Sequence, residues 1–116
     1  MPTVLIVEDD DDIRFVLRDA LELEGYQVVM AANGLEGIER LNDGCAPAAI
    51  LLDQNMPVMD GEKFLELKSR AQSFAMIPVV VLSATPLRST NHQIEAFLEK
   101  PVETEALFSA IKKACR

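Results

Sequence analysis

Acidic residues that follow short apolar runs are the first place in this sequence where metal chemistry is expected. Glu8 and Asp9 come directly after one such run, and Asp53 follows another. Carboxylates that meet at one edge of a fold raise one another's pKa by like-charge repulsion unless a bound cation offsets the charge. Mg²⁺ favours a site with a few carboxylate oxygens, a carbonyl oxygen and retained water. We therefore expect a magnesium site here, with Mn²⁺ as an alternative ion.

A hydroxyl and an amine end two further apolar runs, at Ser83 and Lys100. Alone, such a serine is usually a turn former and such a lysine is usually solvated. Together with an aspartate nucleophile and a metal ion, they complete the set of groups that phosphoryl transfer onto an aspartate requires. The prediction rests on this joint placement.

Five apolar runs must position these groups, and their nearly continuous hydrophobicity is typical of strands covered on both faces. The predicted strands are residues 3–7, 28–31, 48–52, 79–82 and 96–98. Because the reactive residues follow the carboxyl ends of these runs, a parallel sheet would bring them to one edge, where open α/β sheets bind their ligands.

Segments with helical periodicity lie between the strands. The first has apolar residues at Ile13, Val16, Leu17, Ala20 and Leu21, and it ends at Gly25, where a left-handed C-cap fits. Weaker patterns predict helices over 35–41, 64–71 and 107–115. Alternating strands and helices indicate an α/β protein with a parallel sheet and helices on both faces.

The bulk composition is that of one domain over residues 1–116. A net charge of −8 disfavours direct binding to nucleic acid or to an anionic membrane. The first residues lack the basic and apolar regions of a signal peptide, so a cytoplasmic location is expected. Asp10, Asp11 and Asp12 are interpreted as residues that cap the first helix and complement its dipole.

The segment Leu-Leu-Asp-Gln-Asn-Met-Pro-Val-Met-Asp-Gly at residues 51–61 resembles the phosphoacceptor loop of response-regulator receiver domains. The resemblance extends over nearly the whole chain. It implies a doubly wound, five-stranded parallel sheet in the flavodoxin-like order 2-1-3-4-5. It also implies that Asp53 is the phosphoacceptor.

Position by position, the resemblance also implies a metal-binding set. Asp9 would be a direct ligand together with Asp53, and Glu8 would act through water. Asn55 would contribute its backbone carbonyl. Glu8 stands where the family more often has aspartate.

The resemblance further implies how a phosphoryl group would be sensed. Ser83 matches the hydroxyl that hydrogen-bonds the phosphoryl group, and Lys100 matches the lysine that pairs with it. Phe97 matches the aromatic residue that moves inward in the active state, although ordinary core packing explains it equally well.

Such a domain would receive its phosphoryl group from a sensor histidine kinase or a phosphotransfer protein. It would signal to a downstream protein or a fused output domain, as a monomer or as a phosphorylation-dependent dimer. It would catalyse only its own phosphorylation and slow dephosphorylation. The stretch between Ser83 and Lys100 is shorter than usual in the family, so the fourth of the family's five helices is expected to be short or missing.

Three alternatives compete with this interpretation. A degenerate receiver would bind partners without phosphorylation. A small aspartate-based, Mg²⁺-dependent phosphatase would also use an aspartate nucleophile, but that class resembles Asp-x-Asp and the third position here is Asn55. A flavodoxin-type cofactor binder would need a phosphate loop where the acidic residues 8–12 stand.

Overall fold

Five short strands form the centre of the molecule in the computed structural model, which describes residues 2–53, 61–70, 75–83, 94, 96–100 and 102–115. The strands are β1 (Thr3–Val7), β2 (Gln27–Ala31), β3 (Ala49–Asp53), β4 (Val79–Ser83) and β5 (Ala96–Glu99). Each lies within a residue or two of the run that predicted it. The Val, Ile and Leu content of these segments suits strands that are covered on both faces.

All five strands are parallel and lie in the order β2-β1-β3-β4-β5. This arrangement confirms the expected α/β fold class and the flavodoxin-like order. Every residue of β3, which lies between β1 and β4, is buried, and so is every residue of β4. The order places the carboxyl ends of β1, β3, β4 and β5 along one edge of the sheet.

Four helices lie in the described part of the chain: α1 (Asp11–Leu23), α2 (Gly34–Asn42), α3 (Gly61–Ser69) and α4 (Thr104–Ala114). The carboxylate of Asp10 caps α1 by accepting a hydrogen bond from the amide of Ile13 at 3.0 Å. Gly25 follows α1 with a φ of +96°, the left-handed conformation predicted for the position. Local capping therefore fixes both ends of the helix that follows β1.

The sheet separates two hydrophobic clusters. On one face, α1 and α4 pack through residues such as Leu21 and Ile111 against Val4 and Ile6 of β1. On the other face, α2 and α3 pack against the alternate side chains of the same strands, with Phe64 at the centre. Full burial of one such side chain contributes about 1.5–3 kcal/mol. The helices on both faces were expected from the strand and helix alternation.

The buried face of α1 differs from the predicted one. Ile13 and Val16 are 39% and 66% exposed, whereas Arg14 is only 9% exposed and lies in line with Leu17 and Leu21. The helix is therefore rotated from the position that the apolar pattern gave, with a charged residue on its inner side. The reason is a polar contact of Arg14 at the sheet edge.

Two predictions about the helices fall on residues outside the described ones. Ala71, the last apolar position of the predicted third helix, follows the end of α3 at Ser69. The short or missing helix was predicted in residues 85–93.

Within the part of the chain that the structure describes, no helix has the length and apolar character needed to cross a membrane.

Candidate active site at the carboxyl ends of the strands

The register of the sheet brings four chemically active residues to one edge. Asp53 is level with Leu82, and Ser83 is level with Glu99, the residue before the predicted lysine. Glu8 directly follows the last residue of β1. The last residues of β3 and β4 and the residues that follow β1 and β5 therefore present their functional groups side by side.

Three carboxylates form the centre of this edge. One oxygen from each of Glu8, Asp9 and Asp53 lies within 4.8 Å of the others. Glu8 and Asp53 are 1% and 3% exposed, whereas Asp9 is exposed to solvent. The cluster is thus a half-open acidic site with two buried members and one at the surface.

The ammonium group of Lys100 faces the buried pair. Lys100 Nζ donates a hydrogen bond to Asp53 Oδ1 at 3.0 Å and lies 3.7 Å from Glu8 Oε1. The main-chain amide of Lys100 donates to the Ser83 carbonyl at 2.8 Å, which holds the lysine at the end of β5. Lys100 therefore connects the edge strand β5 to β3 across β4.

Comparison with known proteins identifies the family of this chain. Residues 4–112 match the response regulator receiver domain. The chain belongs to that family. Receiver domains are signalling modules of two-component systems, and they bind Mg²⁺ at an acidic pocket.

The chain is similar to the sensor histidine kinase TmoS of Ectopseudomonas mendocina, with 35% identity over 91% of this chain and 11% of TmoS. It is 39% identical to the transcriptional regulatory protein PrrA of Mycobacterium tuberculosis over 99% of this chain and 50% of PrrA. The chain thus spans half or less of these curated relatives. Among solved structures, the chemotaxis response regulator CheY4 of Vibrio cholerae superimposes with a TM-score of 0.88 at 26% identity, covering 98% of each chain.

Burial and the contacts among Glu8, Asp9, Asp53 and Lys100 determine the electrostatics of this receiver's acidic site. Burial, with the side chain of Asp53 alongside, raises the pKa of Glu8 to about 8. For Asp9, burial acts to raise the pKa, but hydrogen bonding with Glu8 and Asp53 outweighs it and lowers the pKa below its usual range. For Lys100, burial acts to lower the pKa, but the hydrogen bond and charge of Asp53 prevail and raise it.

One buried oxygen tests whether the site suits a divalent cation. Glu8 Oε1 is fully buried, and among the described residues it has no hydrogen-bond partner. A buried carboxylate oxygen that makes no hydrogen bond is costly beside two other acids, even with Lys100 Nζ 3.7 Å away, and a hard cation at this edge would offset the shared charge. The donor set Glu8, Asp9 and Asp53 therefore fits Mg²⁺.

The other predicted site residues have different surroundings. Ser83 is buried at the end of β4. Phe97 is half-buried on β5, level with Val81, and packs on the hydrophobic cluster that α2 and α3 cover. Asn55, predicted to offer a backbone carbonyl, lies outside the described residues.

The acids after Asp9 serve the helix. Asp10 caps α1 through its side chain, and Asp11 and Asp12 occupy the first turn, where they complement the helix dipole. The main-chain amide of Asp10 also donates to Glu8 Oε2 at 3.2 Å. These contacts agree with the interpretation of Asp10, Asp11 and Asp12 as acids that cap the first helix.

Arg14 is a contact of the site that the sequence interpretation missed. Its Nη1 donates to the main-chain carbonyl of Glu8 at 2.9 Å, and its Nη2 pairs with Asp11. The signal in the sequence was its spacing, because Arg14 precedes Leu17 and Leu21 by one and two helical turns. A charged residue in an apolar stripe indicates a buried polar partner.

An open apolar groove of about 650 Å³ adjoins the site. The exposed side chains of Ile13 and Val16 form one wall, and Leu82 and Val102 form the other. Lys100 lies at its border, so the groove and the acidic site share an edge.

Proposed function

We propose that this receiver domain accepts a phosphoryl group on Asp53 in a Mg²⁺-dependent reaction and signals through the resulting change in shape. The observation that carries the proposal is the cluster of Glu8, Asp9 and Asp53, whose carboxylate oxygens lie within 4.8 Å, with Lys100 Nζ 3.0 Å from Asp53 Oδ1. The cluster combines a nucleophile, a cation site and a fixed positive charge.

In the proposed reaction, an oxygen of Asp53 attacks the phosphorus atom and an acyl phosphate bond forms. The bond from phosphorus to the donor breaks, and its electron pair leaves on a histidine nitrogen or, for acetyl phosphate, on the acetate oxygen. In this proposal Lys100 pairs with a phosphoryl oxygen, and Ser83 donates its hydroxyl to another. The same site would return the phosphoryl group slowly to water.

Mg²⁺, when bound, would neutralise charge on the phosphoryl oxygens. Asp9 and Asp53 are the direct carboxylate ligands in this proposal, with Glu8 acting through water and Asn55 through its backbone carbonyl. Mn²⁺ is the alternative ion in this proposal, because it also prefers oxygen ligands.

The conformational response would run from Asp53 to the edge strand. Phosphorylation adds about −1.5 to −2 charge. We propose that the Ser83 hydroxyl moves toward this charge and that Phe97 moves into the vacated space. Since β5 is an edge strand, the surface near it would change, and a partner would recognise that change.

The donor is proposed to be a sensor histidine kinase or a phosphotransfer protein of the cytoplasm. It must bring its phosphorylated side chain to Asp53, and the groove beside Lys100 offers apolar contact area at that edge. The recipient of the signal would be a downstream protein or a fused output domain, with the receiver as a monomer or a phosphorylation-dependent dimer.

Intact mass after incubation with acetyl phosphate and Mg²⁺ tests the proposal. We expect the wild type to gain the mass of one phosphoryl group, and we expect no gain with a chelator present or in Asp53→Asn. The matched control is Asp19→Asn, an exposed carboxylate of α1 that should leave uptake at the wild-type level.

A protein that binds Mg²⁺ but gains no mass from acetyl phosphate or from a phosphorylated histidine donor would contradict the proposal. It would instead favour a receiver that binds partners without phosphorylation. A gain that persists in Asp53→Asn would place the phosphoryl group on another residue.

A further inference from the structure

The peptide unit between Glu8 and Asp9 joins two of the three carboxylates of the acidic site. A peptide unit is planar and rotates as one body. Its rotation therefore sets both the direction of the carbonyl of one residue and the direction in which the side chain of the next residue leaves the backbone. The carbonyl oxygen of this unit accepts a buried hydrogen bond from Arg14 Nη1 at 2.9 Å. The orientation of the unit thus depends on a side chain from the second turn of α1.

The neighbouring peptide units are held by other groups. The Glu8 amide donates to the Ala31 carbonyl of β2 at 3.1 Å, and the Asp10 amide donates to Glu8 Oε2 at 3.2 Å. These bonds fix the units before and after the one that Arg14 contacts. Three successive peptide units of the site are therefore each held by a hydrogen bond, and Arg14 holds the middle unit.

The guanidinium itself is restrained on several sides. Arg14 is 9% exposed, its Nη2 pairs with Asp11, and its Cζ lies 5.2 Å from the centre of the Phe15 ring. A planar, delocalised cation with several directed donors suits such a fixed position better than an ammonium group does. The contact on the Glu8 carbonyl is accordingly made by a group with little freedom to move.

We propose that Arg14 is a positioning residue of the acidic site, which orients the peptide unit between Glu8 and Asp9 and thereby presents their carboxylates to the divalent cation. The inference rests on the proposed function, in which these carboxylates hold Mg²⁺. Arg14 itself contributes no ligand. Groups that orient metal ligands typically change affinity about 10- to 100-fold when they are removed.

The test compares Mg²⁺ dissociation constants, obtained from amide chemical shifts during titration, with the free energy of unfolding in urea without Mg²⁺. We expect Arg14→Met to bind Mg²⁺ at least about 10-fold more weakly and to shift the Asp9 and Asp10 amide signals of the metal-free protein. Arg14→Lys retains one donor and should show a smaller loss of affinity.

Arg18→Met is the matched control. Arg18 lies one turn further along α1 and flanks the same Phe15 ring at 5.0 Å, but it pairs with Asp19 and does not contact the acidic site. We expect this variant to lose its helix-surface contacts while keeping the wild-type Mg²⁺ dissociation constant. The control separates the carbonyl contact from the ring contact that both arginines make.

Wild-type Mg²⁺ affinity in a folded Arg14→Met protein would overturn the inference, even if that protein unfolds at lower urea concentration. If Arg14→Met does not fold, Arg14→Lys decides in the same way, since unchanged affinity there would also overturn it. A wild-type protein that binds no Mg²⁺ would overturn the proposed function, and this inference with it.

Discussion

Glu8 is buried where its ionisation is opposed by burial and by the side chain of Asp53, so its pKa rises from 4.5 to about 8. Between these values the folded protein binds more protons at Glu8 than the unfolded chain does. The free energy of unfolding of the metal-free protein should therefore fall as the pH rises through this range, by at most a few kcal/mol. Glu8→Gln, which cannot ionise, should lack this part of the pH dependence.

Urea unfolding of both proteins in chelator, at pH values from below 4.5 to above 8, measures this difference. The two free energies should agree at the acidic end, and the variant should be the more stable at the basic end. If the free energies of unfolding of the two proteins changed in parallel with pH, the folded protein would not disfavour the ionised form of Glu8.

Lys100 contacts both buried acids, yet the nucleophile in the proposed reaction is Asp53. Lys100→Ala should therefore still take up a phosphoryl group from acetyl phosphate, but the amide shift changes that follow uptake should be reduced. Intact mass measures uptake, and amide spectra measure the response. Lys112→Ala, which removes an exposed lysine of α4, is the matched control and should respond as the wild type does.

The clustering of Glu8, Asp9 and Asp53 was predictable because each lies at or just after the carboxyl end of a strand, and a parallel sheet brings these ends together. Arg14 was not predictable in the same way. Its partner is a main-chain carbonyl, which every residue carries and which no sequence pattern distinguishes. The effect of the site on the pKa of Glu8 also depends on burial, which the sequence does not give.

At the scale of elements, α2 approaches the sheet and α3 closely at Gly37. A methyl group added there would lie 2.8 Å from Phe64 Cε1 and 3.1 Å from Val7 Cγ2. Because the Phe64 ring is fully buried, it has little room to move. Gly37→Ala should lower the free energy of unfolding by about 1–2 kcal/mol, as overpacking outweighs a gain in helix propensity of up to about 1 kcal/mol.

A double-mutant cycle in urea unfolding checks this prediction. Phe64→Leu should make space for the added methyl group, so that Gly37→Ala costs less in that background than in the wild type. Equal costs in the two backgrounds would mean that the ring does not limit the approach of α2.

The strands and helices could be predicted closely because their apolar runs and capping residues are local signals. The face of α1 that is buried could not be predicted in this way. Hydrophobicity alone assigned Ile13 and Val16 to the core, but the helix turns Arg14 inward and leaves those two side chains along the open groove. A tertiary polar contact decided the rotation, and a hydrophobic pattern contains no information about such a contact.

At the scale of the whole molecule, Mg²⁺ should stabilise the folded state because the site requires the folded sheet. The expected gain in the free energy of unfolding is about 1.4 kcal/mol when the Mg²⁺ concentration is ten times the dissociation constant. Asp9→Asn, which removes one carboxylate of the cluster, should reduce this gain. Thermal unfolding with and without Mg²⁺ measures it.

The net charge of −8 makes a salt control necessary, since any cation screens the repulsion within an acidic protein. NaCl at matched ionic strength should stabilise the wild type and Asp9→Asn equally. Equal stabilisation of the two proteins by Mg²⁺ as well would indicate general screening in place of binding at the acidic site.

The contact between Asp53 and Lys100 joins groups 47 residues apart in the chain, and this separation has a consequence for the order of folding. During synthesis, β1 and β3 emerge long before the lysine that neutralises their acids. A partly made chain that already pairs β1 with β3 would hold Glu8 and Asp53 together without the ammonium group of Lys100. Charge repulsion therefore opposes early pairing of the two strands at their carboxyl ends. Contacts between distant segments also form slowly. We expect the sheet edge at this site to be among the last parts to become protected from hydrogen exchange during refolding. A divalent cation should make this protection appear earlier.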